Sequence, residues 1–480
     1  MHESRIEPAP VLPIMRGALR PSREIFIYAL LVIATLCAYF PILTFDFVGL
    51  DDQVTVFQNW NLIHLSPSTF YSFWTEPQGQ LYTPLTYSLF AAISLGARVK
   101  AKAGEVPAVA FYAGPFHAVD LALHLLSVIV VYRLLRRMIG PHWPAAAGAL
   151  LFALHPVQVE SVAWVTATNG LLCGFLSLLA VLLYLRATSS DRRTKRWPIQ
   201  WSGYALATEV FILALLAKPA AVIVPLLAWI AHWLMSRQQP ADSDVKRNPD
   251  EAPGPHRSVA LFRRALPLII WLFLSVPFAI VARVVQPIPD WWLVVPIWQR
   301  PFVAADALAF YIYKILWPRT LTVDYGRAPA LIFSHGWAWY TWIVPATLGA
   351  VIVAFHRKRA ARHLIAGSIW FLAALLPVLG FTRFAFERFS TVSDRYLYVP
   401  MFGVALAVAW GLNCLVNWNA ARDARSARIG RLGIIAACIV ILALLGTRTF
   451  LQTQYWRNKR TLFQHSQEVI HRTPGTPQDN

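Results

Sequence analysis

Two carboxylates stand side by side at Asp51 and Asp52, in the stretch FDFVGLDDQVTVFQN, directly after an apolar run. Adjacent negative charges repel, and an ionised carboxylate near hydrocarbon is costly. A pair kept there suits two kinds of chemistry. One is general-base catalysis, in which an aspartate of raised pKa takes a proton from a hydroxyl. The other is coordination of a divalent metal that steadies a phosphate. The competing structural reading is an acidic N-cap for an interfacial helix starting near Gln53.

Three further stretches place charge at the ends of apolar runs. LFALHPVQVESVAWVTATNGLL carries His155, Glu160 and Asn169. A carboxylate such as Glu160 in so apolar a setting points to function, while His155-Pro156 also reads as a helix-end turn. In LLAKPAAVIVPLLAWIAHWL, Lys218 precedes a proline between two apolar runs. It either snorkels to the interface or binds phosphate. In ERFSTVSDRYLYVPMFG, Arg388, Asp394 and Arg395 form either a structural Asp–Arg pair beside belt tyrosines or an arginine clamp for an anionic head group.

The elements that must position these groups are transmembrane helices. Of the 480 residues 57% are hydrophobic and only 14% charged, against about 25% charged in a soluble domain. Stretches of about 20 apolar residues cross a bilayer. Eleven candidates occur, at roughly 25–43, 111–134, 143–157, 168–186, 203–217, 219–235, 265–284, 338–355, 364–380, 398–416 and 432–450. The net charge of +19 reads as orientation rather than nucleic-acid binding. More than half of the 43 basic residues fall in short loops on one side, within Arg5–Arg23, Arg133–Arg137, Arg186–Arg196, Arg237–Arg264, Arg357–Arg362 and Arg422–Arg431. That places residues 1–24 in the cytoplasm and the C-terminus outside. Residues 84–97 and 303–317 are too short to span and are expected as juxtamembrane or re-entrant helices on the outer face.

The expected organisation is one all-α integral domain over 25–450, a bundle of about eleven spans. Outer loops cover 44–110, 285–337 and 381–397. A polar, Pro-rich linker at 238–257 reads as disordered, and a short polar tail runs over 451–480. No internal repeat is visible. The four cysteines lie in apolar runs without disulfide or metal spacing, and the apolar first run is too long for a signal peptide. Carboxylates of the first loop and cations of later helix ends thus share one face. A leaving lipid phosphate needs positive charge and an attacking hydroxyl needs a base.

The chain resembles the GT-C class of membrane glycosyltransferases. Within it, the chain is similar to the O-mannosyltransferases that combine transmembrane segments with tetratricopeptide repeats, and to their bacterial relatives. The matching strings are FVGLDDQVTVFQN, LYTPLTYSLF, FHAVDLALHLL, LHPVQVESVAWV, LLAKPAAVIVPLL, WPRTLTVDYG and SDRYLYVPMFG. The resemblance implies an inverting transfer of a hexose, plausibly mannose, from a polyprenyl phosphate to a hydroxyl of a protein, glycan or lipid, on the periplasmic face of a bacterial inner membrane. It implies a first-loop aspartate as base, Asp51 in preference to Asp52. It implies that Glu160 borders the cavity and that Lys218 and Arg395 engage the donor phosphate, with His155 as support. No cofactor beyond the lipid-linked sugar is implied, apart from a divalent ion at Asp51 and Asp52 should one be used.

The chain departs from the family where Thr166-Ala167-Thr168-Asn169-Gly170 replaces a segment like Ser-Gly-Arg-Lys-Asp, and where His232 stands for a common Asp. The tail YWRNKRTLFQHSQEVIHRTPGTP looks like the lead-in to the repeats, which the sequence does not contain. Two other classes fit the same pattern: a lipid-linked-sugar transporter, and a non-catalytic scaffold that kept the fold.

Overall fold

The computed structural model describes residues 21–100, 109–188, 199–236, 256–286, 295–355, 361–381 and 384–472. Most of the 238–257 linker, the basic residues Arg5 to Arg20 and Arg192 to Arg196, and the last eight residues lie outside them.

The chain is an all-α integral membrane protein. Among the described residues, eight helices are long and apolar enough to cross a membrane. A bent pair, His142–Leu154 with Pro156–Ala163, makes a ninth if counted as one span. The other two of the eleven expected spans fall on shorter apolar helices, Trp201–Ala217 and Arg362–Val378. Peripheral helices such as Ala265–Val285, Trp337–Ala354 and Ala424–Gln454 bury few of their side chains in protein, as a hydrocarbon solvent permits. Inner helices pack closely through small residues. A Cβ on Gly403 would collide with the Gly367 carbonyl, so Arg362–Leu375 and Met401–Ala420 cross backbone to backbone.

Prolines set the breaks that matter. A residue before proline is pushed out of the helical region. His155 (φ −76, ψ 128) is extended, so His142–Leu154 ends before Pro156. Lys218 (φ −162, ψ 132) likewise separates Trp201–Ala217 from the turn Pro219–Ile223 and the helix Val224–Ser236. Both breaks leave a polar side chain at a helix end.

The first loop is a small layer with its own apolar cluster, in which Val56, Leu62, Phe73, Tyr87, Phe90 and Phe116 are buried together. Ser66 starts the helix Pro67–Thr75 with a capping box, and Pro84 opens the helix Pro84–Ala97 at its first turn. A two-stranded hairpin, Arg98–Lys100 paired antiparallel with Val109–Phe111, joins the loop to the helix Gly114–Ile139. Nothing in the sequence pattern announced those strands.

Two expectations are corrected. Asp52 does not cap the turn at Gln53–Phe57: its side chain makes no capping bond there. The C-terminal segment is not a free polar tail. Ala424–Gln454 runs past residue 450, and a further helix, Lys459–Arg472, docks on the bundle. Leu462 joins the main core, His465 and Gln452 bond the Leu321 carbonyl, and Ser466 bonds Thr322. The signal was present in the apolar Leu462 and Val469, seven residues apart on one helix face.

Candidate active site

The candidate residues sit on helix ends and in loops, and they fall into separate clusters. The approach to Asp51 is strained. Gly49 (φ 76) and Leu50 (φ 51) both adopt left-handed backbone, which is uncommon for leucine and concentrates at functional sites. A Cβ at Gly49 would also press on the Lys459 side chain of the C-terminal helix, 3.1 Å away.

That turn points the two aspartates in different directions. Asp51 is exposed, while Asp52 is fully buried. Asp52 accepts hydrogen bonds from the Thr166 amide (2.8 Å), the Thr166 hydroxyl (2.6 Å) and the Val48 amide (3.2 Å). Burial raises its carboxyl to about 6, against the lowering effect of the Thr166 and Val48 donors, and the Asp51 charge adds a smaller push upward. Asp52 is therefore a strut between the first loop and the start of the helix Thr168–Ala187. Asp51 keeps an open carboxylate, close enough to Tyr87 and Tyr396 to act on both electrostatically.

Glu160 is buried on the short helix Val159–Ala163. It ion-pairs with the Arg395 guanidinium, accepts from the Ser393 hydroxyl (2.8 Å), and accepts from the Arg395 amide (3.2 Å). Its oxygens are thus committed to the 393–395 turn. Arg395 also lies against the rings of Trp164, Phe386 and Tyr396. Glu160 holds Arg395 in place; an anionic carboxylate is not itself a phosphate ligand.

Lys218 donates to the Asn169 side-chain oxygen at 3.2 Å. Lys218 and Arg395 line one cavity of about 90 Å³, together with Gly170, Ser177, Tyr396 and Tyr398. Its remaining wall is mostly apolar, from Ile223, Val224 and Leu227 on one side and Ala374, Pro377 and Val378 on the other. Tyr396 lines this cavity, with the Arg395 guanidinium against its ring. Of the sequence candidates, Lys218 and Arg395 line the cavity and Asn169 touches it through Lys218, while Asp51 is exposed and is not among the lining residues.

The structure keeps three candidates away from it. His155 is buried with both ring nitrogens engaged, by the Ile315 carbonyl (3.0 Å) and the Val157 amide (3.4 Å). It closes the proline break and does not line the cavity. Arg388 is exposed and lies over the Phe389 ring. Asp394 accepts from the Tyr325 hydroxyl at 2.9 Å, and burial followed by the Glu160 charge holds its carboxyl well above the usual range. Among the described residues, no group of three or more His, Cys, Asp or Glu side chains has the arrangement of a metal site.

Sequence reasoning missed the residues that hold the candidates. Thr166 clamps Asp52, and Thr168 clamps the buried Asp120 at 2.6 Å. Two buried ion pairs, Arg300–Glu387 and Arg327–Asp306, fasten the segment that leads to Arg395. The signals were an aspartate in the apolar 303–317 run and the spacing of His117, Asp120 and His124 on one face of a long apolar helix.

An all-α membrane bundle with a cavity lined by Lys218 and Arg395 defines the class. Comparison with known proteins then narrows it. No protein-family model matches the chain. It is similar to human protein O-mannosyl-transferase TMTC1, 24% identical over 381 residues, covering 74% of this chain and 42% of that protein. Mouse protein O-mannosyl-transferase TMTC1 is 22% identical over 438 residues, covering 74% and 45%. Drosophila melanogaster protein O-mannosyl-transferase Tmtc2 is 31% identical over 112 residues, covering 22% and 11%. The chain spans less than half the length of these curated relatives. The crystal structure of apo Archaeoglobus fulgidus oligosaccharyltransferase aligns over 91% of this chain and 56% of that one, at 14% identity and a TM-score of 0.46. The similarity thus extends over most of the chain, and it is to protein O-mannosyl-transferases.

Proposed function

We propose that the protein is an inverting membrane glycosyltransferase that moves a hexose from a polyprenyl phosphate to a hydroxyl acceptor. The observation that carries the reading is the cavity lined by Lys218 and Arg395, with the exposed Asp51 of the first loop as the candidate base. The acceptor hydroxyl approaches from the exposed side, and Asp51 takes its proton as the oxygen attacks the anomeric carbon. The bond from that carbon to the phosphate oxygen breaks, and the leaving phosphate gains charge beside Lys218 and Arg395. One displacement inverts the anomeric centre. Asp52, Thr166 and Glu160 hold the participants rather than react. The apolar wall of Ile223, Leu227, Ala374 and Val378 gives the lipid chain a passage away from the charged end.

Mannose as the sugar, Ser or Thr of a polypeptide as the acceptor, and the periplasmic side of a bacterial inner membrane as the place are part of the proposal. The similarity to protein O-mannosyl-transferases supports the first two, and the basic-loop bias supports a site on the side away from the cytoplasm. A divalent ion, should one be used, would bind at Asp51 and at the Asp52 oxygen that accepts only the Val48 amide.

The test is transfer by the purified chain in liposomes, from polyprenyl-phosphate mannose to a Ser/Thr peptide. Asp51→Asn should lower turnover at least about a hundredfold with donor binding unchanged. Undiminished transfer in that variant overturns the assignment. Lipid scrambling without transfer in the wild type would replace the enzyme with a transporter.

A further inference from the structure

The charge of the cavity is unbalanced, and one residue keeps it so. Arg395 is neutralised by Glu160. Lys218 has only a neutral amide against it, Asn169, and no described carboxylate forms an ion pair with it. None of the residues lining the cavity is acidic. Asp394 belongs to another group, with Tyr325 and the neighbouring Lys314 charge. Gly170 follows Asn169, and a Cβ there would come within 3.5 Å of the Lys218 ammonium, so the ammonium faces the cavity rather than a side chain at 170.

We propose that Asn169 is a specificity-determining residue: it orients Lys218 with a neutral acceptor and leaves the cavity one net positive charge, which selects a singly charged phosphodiester. A carboxylate at the same position would pair with Lys218 and cancel that charge. A low-dielectric cavity amplifies the difference, because an uncompensated charge there is both costly alone and strongly attractive to a counter-ion. A phosphodiester carrying a lipid on one oxygen and a sugar on another has one negative charge. It restores neutrality on binding, which an uncharged triester does not. The inference rests on reading the cavity as the donor phosphate site.

Equilibrium binding of a short-chain isoprenyl phosphoryl-mannose to the full chain in nanodiscs tests it, alongside the methyl phosphotriester of the same compound. The wild type should bind the triester at least about tenfold more weakly than the diester. Asn169→Asp should weaken diester binding at least about tenfold with unchanged thermal unfolding, and Asn169→Ser should stay within about threefold. Lys218→Met separates the two readings. If it loses diester binding while Asn169→Asp binds like the wild type, the role of Asn169 is wrong and the phosphate site stands. If Lys218→Met binds normally, the phosphate site itself falls. Equal binding of diester and triester by the wild type overturns charge selection without any variant.

Discussion

His155-Pro156 and Lys218-Pro219 are the same device written twice. In each, a proline ends a helix and leaves a titratable side chain at the break. Their fates differ. His155 turns inward and satisfies Ile315 and Val157, with no capacity left over. Lys218 gives a described hydrogen bond to one amide oxygen and otherwise faces a cavity. The local sequence therefore marks where a polar group sits at a helix end. What it does there depends on whether distant segments saturate it.

Breaking Lys218 should have the largest effect. Lys218→Met removes the one cation of the cavity that has no carboxylate partner, and donor binding should fall at least about a hundredfold, read by titration with the phosphoryl-mannose lipid. The fold should survive, because a buried methionine replaces a charge that had only a neutral partner. His155→Leu should do the reverse. It orphans a buried carbonyl and an amide, at about 1–3 kcal/mol of stability. Turnover per folded molecule should stay within about twofold, measured after correcting for the unfolded fraction. A reversal of these two outcomes would erase the contrast between the breaks.

Asp52 sharpens the contrast with a smaller effect, since it too is a charged group turned structural. Its folded pKa of about 6 lies above that of an exposed aspartate. The unfolded chain then binds fewer protons through this group between about pH 4 and pH 6, so its contribution to stability falls as pH rises through that window. From pH 5 to pH 7 the loss is on the order of 1 kcal/mol. Asp52→Asn should flatten that slope in denaturation measured in detergent. An unchanged slope would mean that Asp52 is not the group titrating there.

Hydropathy and prolines made the helices and their breaks legible, because both act within a few residues. All eleven expected spans coincide with helices, even where length leaves the crossing itself unsettled. The site was legible only as a set of residue types on a common face. Glu160 meets Ser393 and Arg395 across more than 230 residues, and Asp52 meets Thr166 across 114. No local period encodes such a pairing. That is why Glu160 and His155 read as ligands, while nothing local marks Thr166 as the partner of Asp52.

The docked helix Lys459–Arg472 begins against Gly49, two residues before Asp51, and its 14 residues extend only roughly 20 Å. Any polypeptide joined behind it is thereby leashed near the open carboxylate. A hydroxyl-bearing peptide fused through a flexible spacer would reach the site in cis, at an effective concentration in the millimolar range. Such a fusion would turn a weak acceptor into a self-labelling one and report transfer without any need to know the natural target.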